Sequence, residues 1–112
     1  MKKRNIVKKK EDFNRIINNK NKKISRYFVM NYENNNLNYS RYGISVGTKI
    51  GNAVTRNKYK RKIRMIINEN KNLDNLKKDF IIIFRKGGLN KKYNELREDF
   101  NMLIKKLNNK EN

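Results

Sequence analysis

The sequence predicts an α+β domain built on a small mixed sheet, and three features carry that prediction. Apolar residues recur at helical spacing in three separate places, around Phe13, Ile63 and Phe100. In Ser40–Val46, Tyr42, Ile44 and Val46 alternate with Arg41, Gly43 and Ser45, the period-two pattern of a strand with one buried face. Asp79–Arg85 (DFIIIFR) is instead almost continuously apolar, as befits a strand covered on both sides. A strand, a helical crossover and a buried strand imply parallel pairing between the two strands. The expected order is helix, two or three strands, helix, strand, helix, written α-β-β-β-α-β-α, with the helices mainly on one side of the sheet.

Each element has its own local reason. Residues 1–8 form a basic arm, expected to stay mobile until a partner orders it. A short helix over Lys9–Asn19 follows, with Glu11 and Asp12 in its first turn, where acids favour the helix dipole. Its Phe13, Ile16 and Ile17 share one face, either packed on the core or leaving an aromatic edge exposed for a base. Asn18–Lys23 reads as a polar turn. Ser25–Tyr32 (SRYFVMNY) is a strand by its aromatic and β-favouring residues, with room for a bend inside it. It pairs with Ser40–Val46 as an antiparallel hairpin across the Asn-rich loop 33–38. A second helix runs to about Asn70, and Leu73 and Leu76 touch the core from the polar connection 71–78. Gly87 and Gly88 supply a turn. The last helix, Asn90 to about Leu107, aligns Tyr93, Leu96, Phe100, Leu103, Ile104 and Leu107 in one stripe. Residues 108–112 form a tail that should fray.

The totals restrict the function. A chain of 112 residues makes a single domain. Only 36% of it is hydrophobic, and 30 Lys and Arg face 10 Asp and Glu, a net charge of +20. Self-repulsion on that scale calls for a polyanionic partner, nucleic acid first and an anionic membrane surface second. Neither Cys nor His is present, which removes disulfides, thiolate zinc sites and the commonest general base. The longest apolar run, Phe80–Phe84, is too short to span a bilayer. The N-terminus lacks the apolar segment of a secretory signal, so a cytoplasmic location is expected. Abundant Lys, Asn and Ile suggest an AT-rich coding sequence, which makes arginine the more informative base.

Three of the nine arginines lie in one stretch, Lys49–Ile66 (KIGNAVTRNKYKRKIRMI), which contains no acid. Thr55, or alternatively Asn52, would cap its helix. At about 100° per residue, Tyr59, Ile63, Ile66 and Ile67 fall on one face, and Asn57, Lys60, Arg61, Arg64 and Asn68 on the other. One side is built to pack and the other to meet anions. Guanidinium groups offer phosphates a planar, bidentate geometry.

This stretch, GNAVTRNKYKRKIR, resembles the RNR motif of the bacterial ribonuclease P protein subunit. Gly51-Asn52-Ala53-Val54, Arg56-Asn57, Lys60-Arg61 and Arg64 carry the match. Glu11-Asp12-Phe13, Arg26–Val29, Gly43–Val46 and Phe80–Ile83 are similar to the family's opening helix and strands, in order. The resemblance implies a small α/β sandwich with a left-handed βαβ crossover, where the general rule favours the right-handed sense. It implies two partners, a catalytic RNA subunit and precursor tRNA, whose 5′ leader the ribonucleoprotein removes. Magnesium, bound mainly by the RNA, is the implied cofactor. No membrane association is implied, and no side chain of this chain is assigned a catalytic or metal-binding role.

Carried over residue by residue, Lys49, Asn52, Arg56, Asn57, Lys60, Arg61 and Arg64 would face the catalytic RNA. A leader-binding cleft between the first helix and the sheet would involve Phe13, Ile17, Tyr27, Val29 and Asn31. Ile17 and Asn31 stand where the family favours aromatic residues, and Tyr27 and Val29 suit either the groove or the core. Glu95, Glu98 and Asp99 have a spacing open to a hard metal, or simply favour the dipole of the last helix. An RNA-packing protein with no processing role would share the charge and size, and an autonomous nuclease would cleave RNA as the purified protein alone.

Overall fold

The computed structural model describes residues 2–109. Its elements are α1 (Lys10–Ile17), β1 (Lys22–Ile24), β2 (Phe28–Asn34), β3 (Arg41–Ser45), α2 (Ala53–Glu69), β4 (Lys78–Phe84) and α3 (Tyr93–Asn109), with short 3-10 turns between some of them. The order is the α-β-β-β-α-β-α that the sequence predicts. The fraying tail expected at 108–112 falls mainly outside the described residues, and the α3 backbone continues through Asn109.

The strands form one sheet in the order β1-β2-β4-β3. β3 and β4 pair in parallel across the α2 crossover, as expected, whereas β2 pairs antiparallel with β4. The expected β2–β3 hairpin therefore does not form. The continuously apolar β4 needs cover on both faces and a neighbour on each edge, so it takes the interior position. β2 and β3, each carrying polar residues on one face, flank it.

The sheet separates two cores of unequal size. On one face Phe28, Met30, Phe80, Ile82 and Phe84 meet Tyr59, Ile63, Ile66 and Ile67 of α2 and Leu96, Phe100 and Leu103 of α3. Phe100 meets Phe28 edge-on with centroids 5.5 Å apart, and Tyr59 stacks on Phe84 at 4.5 Å. On the other face α1 packs alone, with Ile16 fully buried near Ile81 and Val7.

Two local differences from the sequence reading bear on the site. The segment 25–27 bends, inside the span that leaves room for a bend, but a separate strand β1 lies at Lys22–Ile24, overlapping what reads as the turn 18–23. Asp99 of α3 holds the bend by accepting from Ser25 Oγ (2.6 Å), Tyr27 N (2.9 Å) and Arg26 N (3.3 Å). Donors satisfied by a carboxylate no longer need a strand partner. The basic arm expected to be mobile is packed along β3. Asn5 Nδ2 donates to Ser40 O (2.7 Å), Val7 N to Tyr42 O (2.9 Å), and Ile6 bridges Tyr42 in parallel. Among its lysines, the arm carries one polar and one apolar anchor.

Candidate nucleic-acid interface

Helix α2 is fixed in roll by its buried side. Tyr59, Ile63, Ile66 and Ile67 are at most 3% exposed, and the backbone N–H of Asn90 donates to the Tyr59 hydroxyl at 2.9 Å. Asn52 is the cap: its Oδ1 accepts from Thr55 N at 3.0 Å. Asn52, the alternative to Thr55, wins because the chain turns one residue earlier. It turns there at Gly51, with φ 156°, a conformation open essentially only to glycine.

The packed side dictates what the opposite side presents. Lys49, Asn52, Asn57, Arg61 and Arg64 are exposed, while Arg56 and Lys60 are half-buried. All seven lie on α2 or the turn before it. None of the ion pairs found among the described residues involves α2. Arg56 Nε is buried and has no hydrogen-bond partner among the described residues. Val54 and Met65, 77% and 56% exposed, lie at i−7 and i+4 from Arg61 and place apolar surface among the cations. Sequence reasoning passed over them, although both stand off the Tyr59–Ile63 stripe.

The second surface lies beside α1. Phe13 sits over Gly43, and Arg15 bridges two elements, meeting Asp12 at 2.8 Å and Glu33 at 2.6 Å. Arg41 pairs with the buried Asp79 and approaches Asp12 at 4.0 Å. The hydrogen bond from Arg15 is the main reason the Asp12 carboxyl titrates below its ordinary value. These pairs pin one flank of α1. On its other flank the sheet register places Ile24, Val29, Ile83 and Ser45 in one row across all four strands. Val29, Ile83 and Ser45 are half-buried, as are Phe13 and Ile17, and Ile24 is 48% exposed. The result is a shallow apolar strip.

The strip brings together Phe13, Ile17 and Val29 but not the other two cleft candidates. Tyr27 lies in the larger core, close to Gly88 and with the Lys91 ammonium 5.9 Å from its ring centroid. The bend at 25–27 breaks the alternation that would have placed it with Val29. Asn31 is 3% exposed, and its Nδ2 donates to Ile17 O at 2.6 Å, fastening the end of α1. Sequence reasoning missed Ile24, Ile83 and Ser45, although period-two counting from Ile81 and Gly43 would have found the last two. Of the acidic trio on α3, Asp99 is committed to the bend, and no group of three metal-binding side chains occurs among the described residues.

A mixed sheet that presents one cation-lined helix defines a basic α/β domain built to meet a polyanion. Residues 1–108 match the family model described as Ribonuclease P. The chain is 45% identical over 108 residues to the ribonuclease P protein component of Mycoplasma mycoides, covering 96% of this chain and 99% of that one. With the Streptococcus pyogenes M5 counterpart it shares 42% over 107 residues, covering 94% and 87%. The Staphylococcus aureus RNase P protein structure superposes with a TM-score of 0.80 at 35% identity, covering 90% and 93%. A mutant of the Staphylococcus aureus protein, described as having defective mRNA degradation activity, gives 0.84 at 34%, covering 95% and 90%. The chain belongs to the ribonuclease P protein component family.

Proposed function

We propose that this chain binds the catalytic RNA of ribonuclease P through α2 and the 5′ leader of precursor tRNA through the strip beside α1. In doing so it assists the endonucleolytic, magnesium-dependent removal of the leader in the cytoplasm. The observation that carries this reading is the α2 surface. Its roll is fixed by a buried face, and none of its cations is ion-paired among the described residues. Such groups are free to replace counterions on RNA phosphates, and the gain from releasing those ions is steeply salt-dependent. Arg61 and Arg64 supply the bidentate geometry, and Asn52 and Asn57 add hydrogen bonds that fix register.

The strip suits a single strand, because unstacked bases offer apolar faces to Phe13, Ile17, Val29 and Ile83. With one aromatic side chain among them, contact there depends more on shape than on stacking. Magnesium would supply the activation of water and the charge neutralisation that phosphodiester hydrolysis needs. Among the described residues no three metal-binding side chains gather, and Asp12, Asp79 and Asp99 are engaged internally. The RNA is therefore assigned both the metal and the chemistry.

The test adds the chain to a cognate catalytic RNA at low magnesium and measures precursor tRNA cleavage. Cleavage should rise sharply, and an unchanged rate would remove the proposal. The protein-alone control should show no cleavage. It also tests for an RNA-degrading activity of the kind in which the Staphylococcus aureus variant is defective.

A further inference from the structure

The segment Lys2–Lys9 is anchored, and the anchoring sorts its residues. Asn5 and Val7 point inward and are buried, while Lys2, Lys3, Arg4, Lys8 and Lys9 are exposed. None of these five cations forms an ion pair among the described residues. The Arg4 guanidinium is held 4.5 Å over the Tyr39 ring centroid, a placement that restricts a long side chain.

Two concavities meet at Arg4. One, of about 400 Å³, runs from Lys2 and Arg4 to Lys71 and to Asn68 on the anion-facing side of α2. The other, of about 260 Å³, takes in Lys3, Lys8 and Lys9. Each is lined by one aspartate, and both are engaged. Asp74 accepts from Asn5 and the Ser40 N–H, and Asp12 pairs with Arg15 and Arg41. The cations of the arm are thus continuous, through Asn68 and Lys71, with the surface of α2.

Building on the role proposed above, we infer that residues 2–9 form a pre-ordered phosphate-binding strap. The strap carries the catalytic-RNA contact from α2 around the β3 edge. A strap already fixed by Asn5 and Val7 loses little conformational freedom on binding, unlike a mobile arm. Its place in the fold favours the catalytic RNA over the leader. The larger concavity joins Lys2 and Arg4 to Asn68 and Lys71, and neither concavity is lined by a residue of the apolar strip.

The test uses full-length protein with Lys3, Arg4 and Lys8 changed to alanine together, alongside wild type and Arg61→Ala. Binding of the catalytic RNA is measured across salt concentration, and discrimination of precursor from mature tRNA is measured in the holoenzyme. The triple variant should bind the RNA at least tenfold more weakly. Its log–log salt slope should be shallower by about 2 to 3, at ~0.7–0.9 per lost phosphate contact. A footprint should lose one RNA segment that Arg61→Ala leaves protected. Unchanged affinity and slope would overturn the strap, whether or not precursor discrimination falls; a fall would reassign these cations to the leader. Failure of wild type to bind the RNA would overturn the proposed function instead, so the two failures are distinguishable. Asn5→Ala retains every charge and should bind more weakly than wild type and more tightly than the triple variant. Wild-type affinity in Asn5→Ala would overturn the pre-ordering.

Discussion

Phe13 rests directly on Gly43, so closely that a β-carbon at position 43 would lie 2.8 Å from Phe13 Cε2 and 2.6 Å from Ile81 Cδ1. The glycine serves close approach: it lets an eight-residue helix settle onto the sheet and sets the height of the apolar strip. Gly43→Ala should lift or tilt α1, costing roughly 1–3 kcal/mol as an overpacked site does. Urea denaturation measures the loss. Precursor tRNA discrimination should fall more than catalytic-RNA affinity, which the proposed function assigns to α2 on the opposite face.

The same helix is tied to β2 by Arg15 and Glu33, with Asp12 one turn back on α1 sharing the guanidinium, and this arrangement has a pH signature. Asp12 titrates below its ordinary 3.8 in the folded state, chiefly because Arg15 hydrogen-bonds its charged form. A depressed folded value means the contribution is present above 3.8 and is lost as pH falls through the lower folded value. Asp12→Asn should therefore flatten the acid limb of the urea midpoint plotted against pH. An acid limb identical to wild type would show that the pair contributes nothing.

Asp99 accepts three hydrogen bonds at the bend between β1 and β2. Asp99→Ala should destabilise the fold by roughly 1.5–3 kcal/mol, the scale for losing hydrogen bonds to a charged group. Holoenzyme assembled from the folded variant should require the same magnesium concentration as wild type. A raised requirement would restore the metal-binding reading of Glu95, Glu98 and Asp99.

Gly51 adopts φ 156°, and a β-carbon there would lie 3.1 Å from Thr55 Cβ. Gly51→Ala should cost about 1–3 kcal/mol in backbone strain and disturb the Asn52 cap. Thermal unfolding and catalytic-RNA binding should report the change together, because both depend on how α2 begins.

What could be read from the sequence follows the strength of its local patterns. Period and composition are enough for α2, with its stripe at Tyr59, Ile63, Ile66 and Ile67, and for the continuously apolar β4. They were not enough to place β4 between β2 and β3, because strand neighbours are chosen by long-range pairing that no local window contains. Alternation leaves Tyr27 open to the groove or the core, and a carboxylate 72 residues away, Asp99, breaks the alternation that would have kept it beside Val29. Asn31 looked like a groove residue and instead fastens α1. Its role depends on the Ile17 carbonyl, which only the folded chain brings near. The basic arm reads as mobile because its anchors are two residues among many lysines, and their partners Ser40 and Tyr42 lie far along the chain. The hand of the crossover could be expected only from the family resemblance.

The account rests on α2 as the RNA-facing surface, and a filter-binding comparison of three single variants tests it most directly. Arg61→Ala and Arg64→Ala remove exposed guanidinium groups from α2, whereas Lys106→Ala removes an exposed α3 cation whose Nζ donates to Ile24 O at 3.3 Å. Each arginine variant should weaken catalytic-RNA binding by roughly tenfold, about 1.4 kcal/mol, with a shallower salt slope, while Lys106→Ala stays near wild type. Equal losses in all three would reduce α2 to one part of a general positive charge and contradict the account.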